Sequence, residues 1–326
     1  MNRPTAIRRI ALFLLLGSAA LSGCRSTPEP DPRYRPSESL LEVLAVLRRH
    51  VPDDTYRFPP ARDFSGRNIY RGSLLRLENL QKIHAEKLRS GYMDDVFAFA
   101  RGRALERLRA FDLAASSYRI AAGIEGPLQR DARESQAICE VLAETAALEP
   151  RQVPIPEEGD SSQLAADRES VVALFDRRVA LLEALLSRAE GTHYAFVIRE
   201  EIERADMGRA RFLTDTRRLY VDGDVRALAA HQQLVNSHRE SKNANRHLLA
   251  LADLYAELAV DYVESHPPEG LRFDPPHFEE LVEAAARLYE AITNQDGAPE
   301  KLEAARRLEA FLAFTLRVDR DRFSPQ

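Results

Sequence analysis

Between residues 71 and 317 apolar side chains recur every three or four positions, a rhythm that constrains the chain more than any other feature. This is the period of an α-helix with one apolar stripe, and such a stripe must be buried against a neighbouring helix. The pattern predicts helices over 71–90, 93–109, 111–124 and 130–148, then over 163–190, 193–220, 224–240, 243–265, 276–294 and 298–317. Gly191-Thr192 separates the two longest. Ser39-Leu-Leu-Glu42 has capping-box spacing and opens a shorter helix to about His50. Residues 51–70 carry Pro52, Pro59 and Pro60 among Tyr56, Phe58, Phe64 and Tyr70. A connection so long and aromatic is expected to lie as a strap over helix surfaces. Pro150, Pro154 and Pro156, followed by Glu157-Glu-Gly-Asp160, break the rhythm. They make 150–162 the expected linker between helical regions at 37–149 and 163–318, with a tail at 319–326. Trp is absent and only 14 residues are Gly, which weakens any β reading. The expected fold class is all-α, with helical hairpins stacked as an α-solenoid.

Within 95–128 the small residues Gly102, Ala114 and Ala121 alternate with Leu105, Phe111 and Tyr118. Small residues let two helices approach closely, and Tyr118 fills the space between them. This spacing resembles the tetratricopeptide repeat, although Arg101 stands where the family has Leu and the closing proline is displaced to Pro127. Leu248, Leu251, Ala252 and Tyr255 resemble the first helix of a second repeat, and Ala284, Leu288 and Ala291 its second helix. About twenty extra residues, including two Pro-Pro pairs, separate those halves. The resemblance implies stacked helix pairs with a concave surface for a partner. It also implies that binding residues lie on the inward face of each first helix. That face is Phe99, Arg103, Glu106 and Arg107 in one repeat, and Arg246, Leu249, Asp253 and Glu257 in the other. Mixed charges with one apolar anchor per row suit a peptide or protein partner.

The start of the chain is read for location. Arg3, Arg8 and Arg9 precede an apolar run over 10–21, and Leu21-Ser22-Gly23 precede Cys24. Basic, apolar and small residues in that order form a secretory signal. Twelve apolar residues reach about 18 Å as a helix, short of an apolar bilayer core of about 30 Å. The last four residues resemble a bacterial lipobox. The resemblance implies cleavage after Gly23 and acylation of Cys24 with palmitate-type chains, and so a membrane partner through that anchor. Residue 25 is Arg, not the Asp of inner-membrane retention. By the same resemblance the protein is expected at the outer membrane facing the periplasm, or at the cell surface of a single-membrane host. Residues 24–36 are proline-rich and polar, the composition of an extended tether. Loss of three signal arginines takes the formal charge from −5 to −8, which argues against nucleic acid as a partner.

Motifs for chemistry are sparse. Cys139 is the one cysteine besides Cys24, so no disulfide framework exists, and its helical setting reads as a small buried side chain. No zinc-protease, nucleophile-elbow or phosphate-loop pattern occurs. Glu190 and His193 have the Glu-x2-His spacing of a di-iron bundle, but once only and beside a helix break. His231 and His238 share a helix face about 10 Å apart, too far for one ion. No catalytic residue, metal site or cofactor is expected beyond the lipid on Cys24. The leading expectation is a non-catalytic envelope scaffold that binds another protein or peptide. The alternatives are a cell-wall or glycan enzyme on a helical frame, and a carrier or sensor of a small apolar ligand.

Overall fold

The computed structural model describes residues 69–83, 85, 93–150 and 161–322. Cys24, the signal-like start, the tether, the helix expected at 39–50, residues 51–68 of the strap and the proline-rich joint at 151–160 lie outside the described residues. Among the described residues there are ten α-helices, one 3-10 turn and no strand. In chain order the helices are α1 (Ile69–Ile83), α2 (Asp94–Arg107), α3 (Phe111–Ala122), α4 (Gln129–Ala147), α5 (Ser161–Ala189), α6 (Tyr194–Asp215), α7 (Gly223–Ser237), α8 (Ala244–Ser265), α9 (Pro275–Thr293) and α10 (Lys301–Arg322). The 3-10 turn, Arg217–Leu219, links α6 to α7. No helix among them is long and apolar enough to cross a membrane. The fold is all-α, with each helix packed chiefly on its neighbours in sequence, as stacked hairpins require. Within each unit the hairpins are compatible with a helical-repeat fold.

The chain divides into two compact units between Cys139 and Glu140, inside α4 and ahead of the proline-rich joint. The first half of α4 belongs to the first unit because Ala132 closes a cluster with Ala98, Ala121 and Ala122. In that unit α1 lays Tyr70, Leu77 and Leu80 on Phe97, Ala100 and Ala104 of α2. Tyr70 is therefore not part of an irregular strap. It sits in the first turn of α1, fully buried, with the Arg107 guanidinium 6.0 Å from its ring. Arg109, at φ 60°, turns the chain between α2 and α3 in a left-handed conformation that L-residues seldom adopt. The repeat spacing works here as its residue sizes require. Gly102 lies against Tyr118 so closely that a Cβ would sit 2.7 Å from the ring, and Leu105, Ala114, Tyr118 and Ala121 are all buried.

In the second unit α5 buries Arg168, Phe175, Arg178, Leu182, Leu185 and Ala189. From Phe175 onward their three- and four-residue spacing makes the seam facing α6. Gly208 repeats the device of Gly102, since a Cβ there would meet the Phe175 ring at 2.8 Å. Phe212 and Leu213 of α6, Ala227, Ala230 and Leu234 of α7, and Leu254 and Leu258 of α8 continue this core. Ala252, Ala259, Phe278, Tyr289, Ile292, Phe311 and Val318 form the last cluster, among α8, α9 and α10. Pro275 and Pro276 open α9 at positions whose amide protons would be unsatisfied anyway.

The second repeat match holds on α8, where Leu251 and Ala252 are buried and Tyr255 is half-buried, its hydroxyl accepting a bond from Gln232. On α9 it is one residue out of register. Ala284 and Leu288 are half-buried and Ala291 is exposed, while Ala285, Tyr289 and Ile292 face the core. The cause is polar: Tyr289 donates its hydroxyl proton to Asp253 of α8 over 2.7 Å, and that bond fixes the rotation of α9. The last helix also runs past residue 318 to Arg322, whose guanidinium lies 5.5 Å from the Phe273 ring and pairs with Asp319.

Candidate functional site: the groove between α8 and α10

Both α8 and α10 pack on the intervening α9, so they run in the same direction. Arg246 pairs with Glu300 at 3.1 Å, and Asp253 pairs with Arg307. Each pair joins residues 54 positions apart, so α8 and α10 hold a constant register. That register brings Glu257 level with Phe311 and Val260 level with Phe314. Between the two helices lies an open groove of about 590 Å³, floored by Val260, Phe311 and Phe314. Asp253, Glu257, Asp261 and Glu264 line its α8 wall, and Arg307 and Arg317 its α10 wall. From residue 253 to 264 that acidic wall is about 16 Å long.

Much of this charge is consumed by the fold. Asp253 is committed to Tyr289 and Arg307, and Asp261 to Arg217 and Arg218 of the 3-10 turn. Burial, then the bond to Asp253, push the Tyr289 phenol above its ordinary pKa, so it stays a donor. Glu257 is 3.6 Å from Arg217, which already bonds Asp224 and Asp261. Among the described residues Glu264 and Arg317 make no ion pair. The far half of the groove thus offers aromatic floor with an unspent charge on each wall.

The sequence-predicted residues divide sharply. Asp253 and Glu257 do line the groove. Leu249 is not an open anchor, because it packs into the core among α8, α9 and α10. Arg246 pairs with Glu300 and does not line the groove. The row on α2 is not an open face either. Glu106 is fully buried and Arg107 is 2% exposed. Tyr118 donates to Glu106 over 2.7 Å, Arg103 donates to it over 3.2 Å, and the buried thiol of Cys139 lies 4.0 Å away. Phe99 is half-buried, its ring 5.3 Å from Tyr118 and 5.2 Å from the Arg103 guanidinium. A buried carboxylate needs donors, and the repeat supplies them internally. The sequence reading missed Val260, Phe311, Phe314 and Arg317. Their signal was the Phe-x2-Phe pair in a helix otherwise rich in Ala, Leu and Arg.

A second polar cluster joins α6 to the turn before α8. Ser241 and Asn243 donate to Glu203 Oε1 over 2.6 and 3.2 Å, and His247 Nε2 lies 2.6 Å from the same oxygen. Burial alone would raise the Glu203 carboxyl, but these bonds outweigh it and hold the pKa below its ordinary value. His238 Nε2 is 2.9 Å from Asp206, beside a cavity of about 330 Å³ that Ser237 also lines. No hydrogen bond joins Ser237 to His238 among the described residues, so no nucleophile–base pair is formed there. No group of three or more His, Cys, Asp or Glu is placed to hold a metal among the described residues. No family model matches the chain, and no curated protein matches its sequence.

Proposed function

We propose that this protein is a non-catalytic envelope scaffold of tetratricopeptide-like ancestry, anchored by lipid on Cys24 at the outer membrane with its body in the periplasm. It binds a segment of another protein through the α8–α10 groove. The observation that carries the reading is the far half of that groove, where the half-buried Phe314 and Val260, with the buried Phe311 beside them, lie between the unspent charges of Glu264 and Arg317. An apolar floor with a few fixed charges is the usual construction of a peptide-docking surface.

The test is crosslinking capture from intact envelopes with three forms of the full chain. The natural chain captures a discrete set of envelope proteins. Cys24→Ser leaves the membrane fraction, which reports the anchor alone. Glu264→Arg combined with Arg317→Glu stays in the membrane and loses the capture at least tenfold, which reports the groove. Retention of Cys24→Ser in the membrane would refute the anchor. Undiminished capture by the charge-reversed form would refute the groove.

A further inference from the structure

Along the α8–α10 groove the constant register sets residue against residue. Ala256 lies level with Ala310, Val260 with Phe314, and Glu264 with Val318, next to Arg317. These rungs follow at four-residue steps, about 6 Å apart. The first is made of the two smallest side chains that line the groove, beside the buried Phe311. The second offers the half-buried Val260 and Phe314. The third ends between the carboxylate of Glu264 and the guanidinium of Arg317, which make no ion pair among the described residues. What the groove lacks decides the shape of its occupant. Apart from the Tyr289 phenol, which is given to Asp253, no described residue lining it has an amide or hydroxyl side chain. Its walls are helices, whose main-chain donors and acceptors bond within α8 and α10. An extended segment brings one N–H and one C=O per residue, and each needs a partner once it leaves water. Over this floor it meets none. Asp253 is held by Arg307 and Asp261 by Arg217 and Arg218, so the wall charges left to serve it are Glu257, Glu264 and Arg317. A helix satisfies all but its terminal groups internally and brings only side chains to the groove.

On the proposed docking role of this groove, we infer that the partner segment is an amphipathic helix. Two large apolar side chains at i and i+4 seat on the Ala256–Ala310 and Val260–Phe314 rungs. The flank of that stripe over α8 is basic, facing Glu257 and Glu264. The flank over α10 carries an acidic residue facing Arg317. Charges further along α10 do not alter these signs, because Arg320 pairs with Asp321 and Asp319 with Arg322. A segment with the two flanks exchanged sets like charges together at the third rung, and the groove rejects it.

Photocrosslinking in intact envelopes tests it. The full-length chain carries Ala310→benzoylphenylalanine or Phe314→benzoylphenylalanine, with Glu240→benzoylphenylalanine in the turn before α8 as background. Mass spectrometry of the crosslinked peptides reads which partner residue each position touches. The two groove positions are one turn apart on α10, about 6 Å, a distance that spans roughly four residues of a helix but two of an extended strand. Both positions should label one segment, at residues three or four apart. That segment, synthesised as a free peptide and titrated against the full-length chain, gains helical circular dichroism on binding, and a proline at its centre weakens binding at least tenfold. Labels two residues apart or in separate segments, or a peptide that binds without gaining helix and tolerates the proline, would overturn the helix and leave the groove as a docking site. Labelling at both groove positions no stronger than at residue 240 would overturn the docking role itself, and this inference with it.

Discussion

The deepest charge in the second unit sets the sharpest energetic test. Arg178 lies in the α5 seam at 0% exposure, where a leucine would satisfy the pattern. Its guanidinium donates to Glu201 of α6 over 2.9 Å and approaches the half-exposed Glu149 at 3.3 Å. Glu201 is itself 1% exposed and lies 3.6 Å from Arg204. Glu201→Ala strips the buried guanidinium of its buried partner, and breaking such a pair costs about 3–5 kcal/mol. For a unit of this length that lowers Tm by roughly 2–4 °C per kcal/mol, or on the order of 6–20 °C. Arg178→Met costs less, because Glu201 keeps Arg204 beside it. The double variant Arg178→Met with Glu201→Leu refills the seam with apolar volume and is neutral or up to about 4 kcal/mol more stable than the natural chain. Urea unfolding followed by far-ultraviolet circular dichroism measures all four corners of the cycle. Single changes that each cost below about 1 kcal/mol, the range of exposed pairs, would refute the view that this pair is dehydrated.

Gly102→Ala drives a Cβ into the Tyr118 ring and destabilises the first unit by about 1–3 kcal/mol; in urea it shifts a transition that Glu201→Ala leaves in place. Tyr118→Phe takes a donor from the buried Glu106 carboxylate and costs about 1–3 kcal/mol in the same assay. His231 is buried, with Nε2 3.0 Å from Thr214 Oγ1 and Nδ1 without a hydrogen-bond partner among the described residues. Burial and the neighbouring His247 hold its pKa below 6.5, so its neutral form stabilises the fold fully above that pH and the contribution fades as pH falls through the folded value. Thermal melts from pH 7 to pH 5 should therefore decline, and His231→Gln should flatten that slope. The Glu203 carboxyl has the same sign at lower pH, with its contribution lost as pH falls below the ordinary range near 4.5.

Helix positions were legible because apolar period and proline joints act locally. Gly102, Ala114 and Tyr118 were legible because size alone decides whether two helices can close on each other. The register of α9 was not, because it depends on a bond from Tyr289 to a carboxylate 36 residues earlier. Glu106 and Arg107 misled for the same reason. On a helical wheel a charge at the edge of the apolar face looks solvated, and a tyrosine on the next helix turns it inward. The groove depends on a parallel register between two helices that are not consecutive, a distance relation no local pattern encodes.

The two hairpins that match the repeat spacing solve one problem in the same way. In each a tyrosine on the second helix donates to a carboxylate on the first over 2.7 Å: Tyr118 to Glu106, and Tyr289 to Asp253. Such a bond is directional where apolar packing is not, so it fixes which face of the second helix turns inward. The same bond removes that carboxylate from recognition, because an acceptor engaged in the core costs free energy to release. Family analogy assigns binding to the charges of each first helix, yet in α2 the fold has already used them. On α8 the row extends beyond Asp253 to Glu257, which approaches Arg217 at 3.6 Å, to Asp261, which holds Arg217 and Arg218, and to Glu264, which makes no ion pair among the described residues. The proposal of recognition at the far half of the α8–α10 groove rests on subtraction: a partner can use only the charges that hold nothing else together.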